Sequence, residues 1–272
     1  MKNFITPFIV PLLILSACGG GGTPPPAPSI QGSNLFYGVT ATFNVGVTTL
    51  VPGITLAADK CSSLTQSTSA APTVLTYKCK ITATGTLTFK ATDSQGSILA
   101  SQTFSVPDPQ VQVITSLGNV VLELYPNKAP LSVDNFLNYV YAGFYSGTIF
   151  HRVIPNFVVQ TGGFTSGLSP MKPIFAPITL ESNNGLRNLA GTLAMARTSD
   201  PNSATSQFFV NLVDNANLDY VDSTNPGYAV FGKVTAGIDV INSIGALSTG
   251  NSNGMSDVPT TEVTITSVQR IK

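Results

Sequence analysis

Tryptophan is absent from this chain, histidine occurs once, as His151, and cysteine only three times. A single histidine excludes histidine-rich metal centres, and two cysteines without a nearby histidine make an incomplete zinc site, so no metal and no cofactor are expected. Hydrolysis is equally ill served, because a serine or cysteine nucleophile needs an imidazole within reach and a third group to orient it. Charge is scarce as well: only 10% of residues are charged, and 13 basic residues balance 13 acidic ones. No electrostatic footprint for nucleic acid is therefore visible.

The N-terminus does contain an apolar run. "MKNFITPFIVPLLILSAC" places one lysine before an apolar stretch from Phe4 to Leu15, followed by Ser16, Ala17 and Cys18. The run is shorter than the roughly 20 residues of a spanning helix, and its order of charge, apolar core and small residues matches an export signal. Leu15-Ser16-Ala17-Cys18 resembles the lipobox of bacterial lipoproteins. That resemblance implies that residues 1–17 are a signal peptide and that Cys18 becomes the acylated first residue. Gly19, in place of aspartate, then favours the outer membrane, with the protein lipid-anchored in a bacterial envelope and facing the periplasm. "GGGGTPPPAPS" completes a flexible tether over residues 18–28 that cannot build a core.

Residues 29–107 are rich in Thr, Ser and Val. "ATFNVGV", "TVLTYKCKIT" and "GTLTFKATD" read as short alternating strands between turn residues, which predicts a small β-sandwich. The pattern resembles the immunoglobulin-like modules of bacterial surface proteins. Cys61 and Cys79 are the cysteines left once Cys18 is acylated, and in an exported chain such a pair is expected to be oxidised. No catalytic constellation stands out here, so the expected role is spacing or docking.

A boundary falls at "SVPDPQ", where prolines and an aspartate interrupt the strand pattern, and the second domain takes residues 108–272. "VQVITSLGNVVLELYP" reads as two strands and a turn. In "APLSVDNFLNYVYAG", Val133, Phe136, Leu137 and Val140 follow the helical stripe, with Pro130 and Ser132 at its start and Gly143 at its stop. Ile238, Ile241 and Ile244 suggest a second helix, and "TTEVTITSVQRI" a strand that closes the sheet. The expectation is a mainly β fold, the second domain being a closed antiparallel barrel capped by two helices.

Within that domain, "FHRVIPNFVVQTGG" sets one cation and one amide among apolar groups. Strand alternation puts Phe150, Arg152 and Ile154 on one face and His151 and Val153 on the other, before a turn at Pro155-Asn156. Such a set suits a groove that grips an extended peptide. His151 reads as a core or supporting residue. Glu123, Glu181 and Asp219 have no spacing that pairs two of them on one surface, and they read as peripheral.

"YSGTIFHRVIPNFVVQTGGF", "GTLAMARTSDPNSATSQFFVNLVDNANLD" and "GYAVFGKV", together with the helix-opening "APLSVDNF", resemble the cyclophilins, a family of peptidyl-prolyl cis-trans isomerases, in their compact bacterial branch. The resemblance covers about residues 110–272 and implies an isomerase that rotates X-Pro bonds in exported proteins. Position by position it implies Arg152, Phe157 and Gln160 as catalytic, and Val158, Ala196, Arg197, Gln207, Phe209, Leu218 and Tyr228 as substrate-binding. Val158 stands where the family often has methionine, and Asn217 where it usually has an aromatic residue, which implies a weaker wall for the family's cyclic-peptide inhibitor. Met195 and Phe208 read as core, and the flanking pattern argues against Arg152 as a plain salt-bridge former. The expected partners are proline-containing polypeptides and, through the lipid, the membrane; the chain is expected to be a monomer. Two other functions stay open, a non-catalytic peptide-binding module and a structural envelope lipoprotein, and Arg152 with Gln160 argues against the first.

Cys18→Ala is expected to leave the protein unprocessed or to release it from the membrane fraction. Identical mass and fractionation for the variant and its parent would sink the anchor.

Overall fold

The computed structural model describes residues 29–46, 54–67 and 74–272; the signal, Cys18 and the tether lie outside the described residues. The N-terminal part contains, among the described residues, β1 (Ser29–Ser33), β2 (Thr40–Gly46), β3 (Thr55–Ala58), β4 (Cys61–Ser67), β5 (Val74–Ile81), β6 (Gly85–Thr92) and β7 (Ile98–Val106). They form two sheets, of order β1-β2-β5-β4 and β3-β6-β7. Alternate residues turn inward, as the pleat requires: Ala41, Phe43 and Val45 from β2 and Tyr77, Cys79 and Ile81 from β5 meet Leu87, Phe89 and Val106 from the other sheet in one core. Phe43 joins the layers, its ring 4.5 Å from Phe89 and 5.5 Å from Phe104. Cys61 and Cys79 form a disulfide that ties β4 to β5.

The C-terminal part runs β8 (Gln110–Thr115), β9 (Gly118–Leu124), α1 (Pro130–Tyr141), β10 (Arg152–Ile154), β11 (Val158–Thr161), β12 (Phe164–Thr165), β13 (Ser169–Pro170), β14 (Thr192–Met195), β15 (Phe208–Asn211), β16 (Val230–Ala236), α2 (Ile238–Gly245), β17 (Thr249–Ser252), β18 (Met255–Pro259) and β19 (Ile265–Arg270). Val133, Phe136, Leu137 and Val140 of α1 are all buried, as their spacing predicts. Phe136 packs 5.3 Å from Phe208 and 5.5 Å from Phe231, which seats the helix on the inner face of the large sheet. No side chain of its own caps the start of α1. Instead Glu181 arrives from a distant loop, accepting hydrogen bonds from the Leu131 and Ser132 amides at 2.9 and 2.8 Å and from the Ser132 hydroxyl at 2.7 Å. A carboxylate there satisfies free amides and complements the helix dipole. Glu181 is thus a tertiary cap, a role its sequence position did not reveal. On α2, Ile241 and Ile244 are buried but Ile238 is exposed, so the apolar stripe is narrower than its spacing suggests.

The expected closed barrel is corrected by the sheet itself. Eight strands follow the order β10-β11-β15-β14-β16-β9-β8-β19, and no ladder joins β10 to β19, so the sheet is curled but open. β10 is too short to carry one. It ends after Ile154 at a turn where Pro155 has no amide to donate and Asn156 takes a φ of 58°. On its other side, among the described residues, the seam is crossed by an isolated bridge, Ile149 to Thr264, and by single bonds such as Phe150 N to Val263 O at 3.0 Å. β19, expected to close the sheet, is one of its edges.

Tyr37 links the two parts. It is 3% exposed within the C-terminal core, and its hydroxyl donates to Asp134 at 2.7 Å. Arg270 clasps the same residue from the other side, donating from one Nη1 to the Tyr37 carbonyl and the Tyr141 hydroxyl, both at 2.8 Å. A second tie runs between Thr84 and Asn127, whose side chain both accepts from the Thr84 amide and donates to its carbonyl.

The disulfide closes a sequence separation of 18 residues. Removing it with Cys61→Ser is expected to lower stability by about 3 kcal/mol on the chain-entropy argument. An urea midpoint shared by the variant and the oxidised parent would contradict this.

Candidate functional site

Strand register collects the groove. Arg152 lies opposite Gln160, Gln160 opposite Phe209, and Phe209 opposite Ala194, so β10, β11, β15 and β14 contribute one transverse row. Opposed residues of neighbouring strands share a face. On this sheet the row faces away from the main core. Phe208 and Val210 turn inward, while Phe209 turns outward, and with Val158, Ala194 and Val230 it makes a separate apolar cluster. Phe157, Ala196, Leu218 and Tyr228 pack against that cluster.

Over this floor opens a groove of about 200 Å³, lined by Arg152, Phe157, Val158, Gln160, Ala196, Arg197, Phe209, Leu218 and Tyr228. Each of these was singled out in the sequence. Gln207 stands behind them, accepting a hydrogen bond at its Oε1 from Gln160 Nε2 at 2.9 Å. A larger cavity of about 640 Å³ lies at the seam between the two parts and brings together none of the sequence-predicted residues.

The glycines of "QTGG" make the Gln160–Gln207 pair possible. Gly162 has a φ of +84°, and a Cβ on it would sit 2.6 Å from the Ser206 carbonyl oxygen. A Cβ on Gly163 would sit 2.5 Å from the amide of Gln207 itself. Only glycine allows both the left-handed turn and the close approach.

Arg197 is already committed: Nε and Nη2 donate to the Gly227 carbonyl at 3.1 and 3.0 Å, Nη1 donates to the Thr198 carbonyl at 2.9 Å, and the guanidinium lies 4.7 Å from the centre of the Tyr228 ring. It stiffens Tyr228, whose ring meets Phe209 edge-on at 5.6 Å. Asn217 is exposed on a short 3-10 turn, Ala216–Leu218, so the groove lacks an aromatic side there.

Buried amides brace two walls in a way that sequence spacing did not show. Asn215 donates to the Phe157 carbonyl at 3.0 Å and to Asn211 at 2.8 Å; Asn211 donates to Asn188 at 3.2 Å; and Asn188 donates to the Leu218 carbonyl at 2.9 Å. Asp219 closes the chain, accepting from the Asn188 amide at 2.6 Å and from Arg187 at 3.0 Å. Burial by itself would raise the Asp219 carboxyl, but the Asn188 bonds and Arg187 outweigh it and hold the group below its usual range. Asp219, peripheral by its spacing, anchors the turn that carries Leu218.

Around the opening stretch the strand reading needs one change. The ladder begins only at Arg152, and Phe150 joins the inner core with Val153 instead of sharing the face of Arg152. His151 is 2% exposed and lies against Phe164, ring centres 4.7 Å apart. Burial pushes its pKa down to about 4, against weaker upward pulls from the Ile149 backbone and the Gln207 side chain. The imidazole is neutral near pH 7 and supports the groove from beneath. Arg152, argued from its flanks to be more than a plain salt-bridge former, makes one ion pair: its Nε lies 3.6 Å from an Asp257 carboxylate oxygen.

Residues 110–270 match the family described as "Cyclophilin type peptidyl-prolyl cis-trans isomerase/CLD". A peptidyl-prolyl cis-trans isomerase of Acinetobacter baylyi is 51% identical over 174 residues, which span 64% of this chain and 91% of that protein. Peptidyl-prolyl cis-trans isomerase B of Escherichia coli is 48% identical over 156 residues, 57% of this chain and 94% of its own. A crystal structure of a cyclophilin-type isomerase from Cryptosporidium parvum, in the presence of the dipeptide ala-pro, superposes with a TM-score of 0.50 at 28% identity, covering 58% of this chain and 96% of that one.

The buried imidazole sets an acid sensitivity. Its folded pKa of about 4 lies below the ordinary 6.5, so between these values the unfolded chain binds the extra proton and stability falls as pH drops. From pH 6.5 to pH 5, above the carboxylate range, the loss expected from this group is about 1.5 kcal/mol. Urea midpoints should therefore fall further for the parent than for His151→Gln across that window; parallel curves would exclude it.

Proposed function

The chain belongs to the cyclophilin-type peptidyl-prolyl cis-trans isomerase family, and on that premise we propose which residues turn the X-Pro bond and where the enzyme works. It catalyses peptidyl-prolyl isomerisation, and its substrates are proline-containing polypeptides. The observation that carries the residue assignment is one guanidinium at the rim of an apolar floor, in register with a paired amide.

Rotation about a peptide bond costs about 18 to 20 kcal/mol because resonance must be broken. No bond forms or breaks, so a nucleophile is not required. In the twisted state the prolyl nitrogen regains a lone pair, and a donor aimed at it gains a hydrogen bond absent from the planar ground state. Arg152 is that donor, stabilising the twisted state more than the ground state. Phe157, Val158, Phe209 and Leu218 hold the proline ring while the preceding carbonyl swings. Gln160, steadied by Gln207, keeps its Oε1 and a second Nε2 hydrogen for the substrate backbone. Ala196, Arg197 and Tyr228 form the far wall.

The N-terminal part is read as an immunoglobulin-like spacer. Its sheet orders, β1-β2-β5-β4 and β3-β6-β7, match the ABED and CFG sheets of the constant-type immunoglobulin sandwich. It departs from the antibody pattern in its disulfide, which joins neighbouring strands of one sheet, and in having no tryptophan. The placement of its ends supports a spacing role. Ser29 pairs with Gly46 at one end of β2, whereas Tyr37, which docks on the isomerase part, precedes Thr40 at the other. A tether acylated at Cys18 would thus enter the spacer at the end remote from the enzyme. In this reading a monomer is lipid-anchored at the outer membrane, faces the periplasm and assists exported proteins.

Arg152→Ala should lower kcat roughly 100-fold with little change in KM, the loss expected of one preorganised donor. Arg152→Lys should recover little, since an ammonium lacks the guanidinium's fixed fork. Phe157→Ala should harm both terms. Exchange NMR of an X-Pro peptide reads all three, and unchanged rates in Arg152→Ala and Phe157→Ala would remove the groove from the mechanism.

A further inference from the structure

We propose that Asp257 is a positioning residue, holding the Arg152 guanidinium over the groove. This rests on the reading of Arg152 as the donor to the prolyl nitrogen. Arg152 needs such a partner. Its neighbours in the row are otherwise engaged, Gln160 with Gln207, and among the described residues the arginine side chain donates no hydrogen bond. A long, half-exposed side chain without a partner samples many rotamers, and an ion pair narrows them.

The fold brings Asp257 to that place from outside the main sheet. Among the described residues β18 pairs with β17 alone, in a separate hairpin. Val258 and Pro259 are buried, and Val258 packs with Ile149 and Leu168, so the strand is pinned immediately beyond the aspartate. Asp257 itself takes a φ of 60°. That left-handed conformation re-aims a side chain within a strand and is disfavoured for residues with a Cβ, least so for asparagine and aspartate. The carboxylate is steadied by the Ser256 hydroxyl, which donates to Oδ2 at 3.3 Å. The same Oδ2 approaches Arg152 at Nε, 3.6 Å away, the inner edge of the guanidinium. The terminal Nη groups are left for substrate.

Asp257→Asn is the informative variant, because asparagine keeps the shape and tolerates the backbone while removing the charge. With an uncharged, end-blocked X-Pro peptide it should lower kcat two- to fivefold with KM nearly unchanged, the range expected for a half-exposed ion pair. Asp257→Glu should restore part of the loss. The parent's advantage should shrink as salt rises toward 1 M, where screening is nearly complete, while Asp257→Asn stays flat. In an Arg152→Ala background, measured at high enzyme concentration, the same substitution should change nothing. A kcat for Asp257→Asn equal to the parent's overturns the inference, as does an equal loss in both backgrounds, while Arg152→Ala alone remains slow. If Arg152→Ala itself leaves kcat unchanged, the donor reading fails first and the positioning role falls with it.

Discussion

The antiparallel register of β10, β11 and β15 is the constraint on which the site depends. Shifting one strand by a single residue would turn its side chains to the opposite face. Arg152, Gln160 and Phe209 would then no longer share a surface. The register is held because both faces are specified. Val153, Val159, Phe208 and Val210 enter the main core, while Val158 and Phe209 enter the outer cluster. β15 is accordingly buried at every residue.

A chain with so few charges braces its groove with amides. The Asn188, Asn211 and Asn215 side chains tie the Phe157 and Leu218 backbones together, and their polar groups are satisfied by one another, as buried groups must be. Gln160 and Gln207 do the same for the amide side of the groove. The positive charges at the site are treated differently. Arg197 is consumed by the Gly227 and Thr198 carbonyls and the Tyr228 ring, so it serves structure. Among the described residues Arg152 pairs with one carboxylate, at 3.6 Å, and donates no hydrogen bond. The contrast leaves Arg152, and not Arg197, with donors free for the proposed role.

The openness of the sheet suits the same end. β10 is an edge strand of three residues, ended by the Pro155-Asn156 turn that brings Phe157 to the groove. A longer β10, paired to β19, would carry the chain past that turn. The two parts of the molecule are tied through Tyr37 and Thr84, and every residue that lines the groove comes from the C-terminal part.

Local patterns were sufficient for much of this protein. The stripe on α1, the alternation in β2, β5 and β6 and the oxidised Cys61–Cys79 pair were legible from period and composition, and the residues that line the groove from the resemblance carried by short dense motifs. What was not legible depends on partners far apart in the chain. Glu181 caps α1 from a loop, Asp219 joins a buried amide network, Phe150 leaves the face of Arg152 for the core, and the sheet stays open because β10 stops at the Pro155-Asn156 turn without a ladder to β19. Asp257 reaches Arg152 only because a separate hairpin folds back against β10. Side-chain type is written residue by residue, but which charge meets which, and whether two edges join, is decided by long-range packing that no local period encodes.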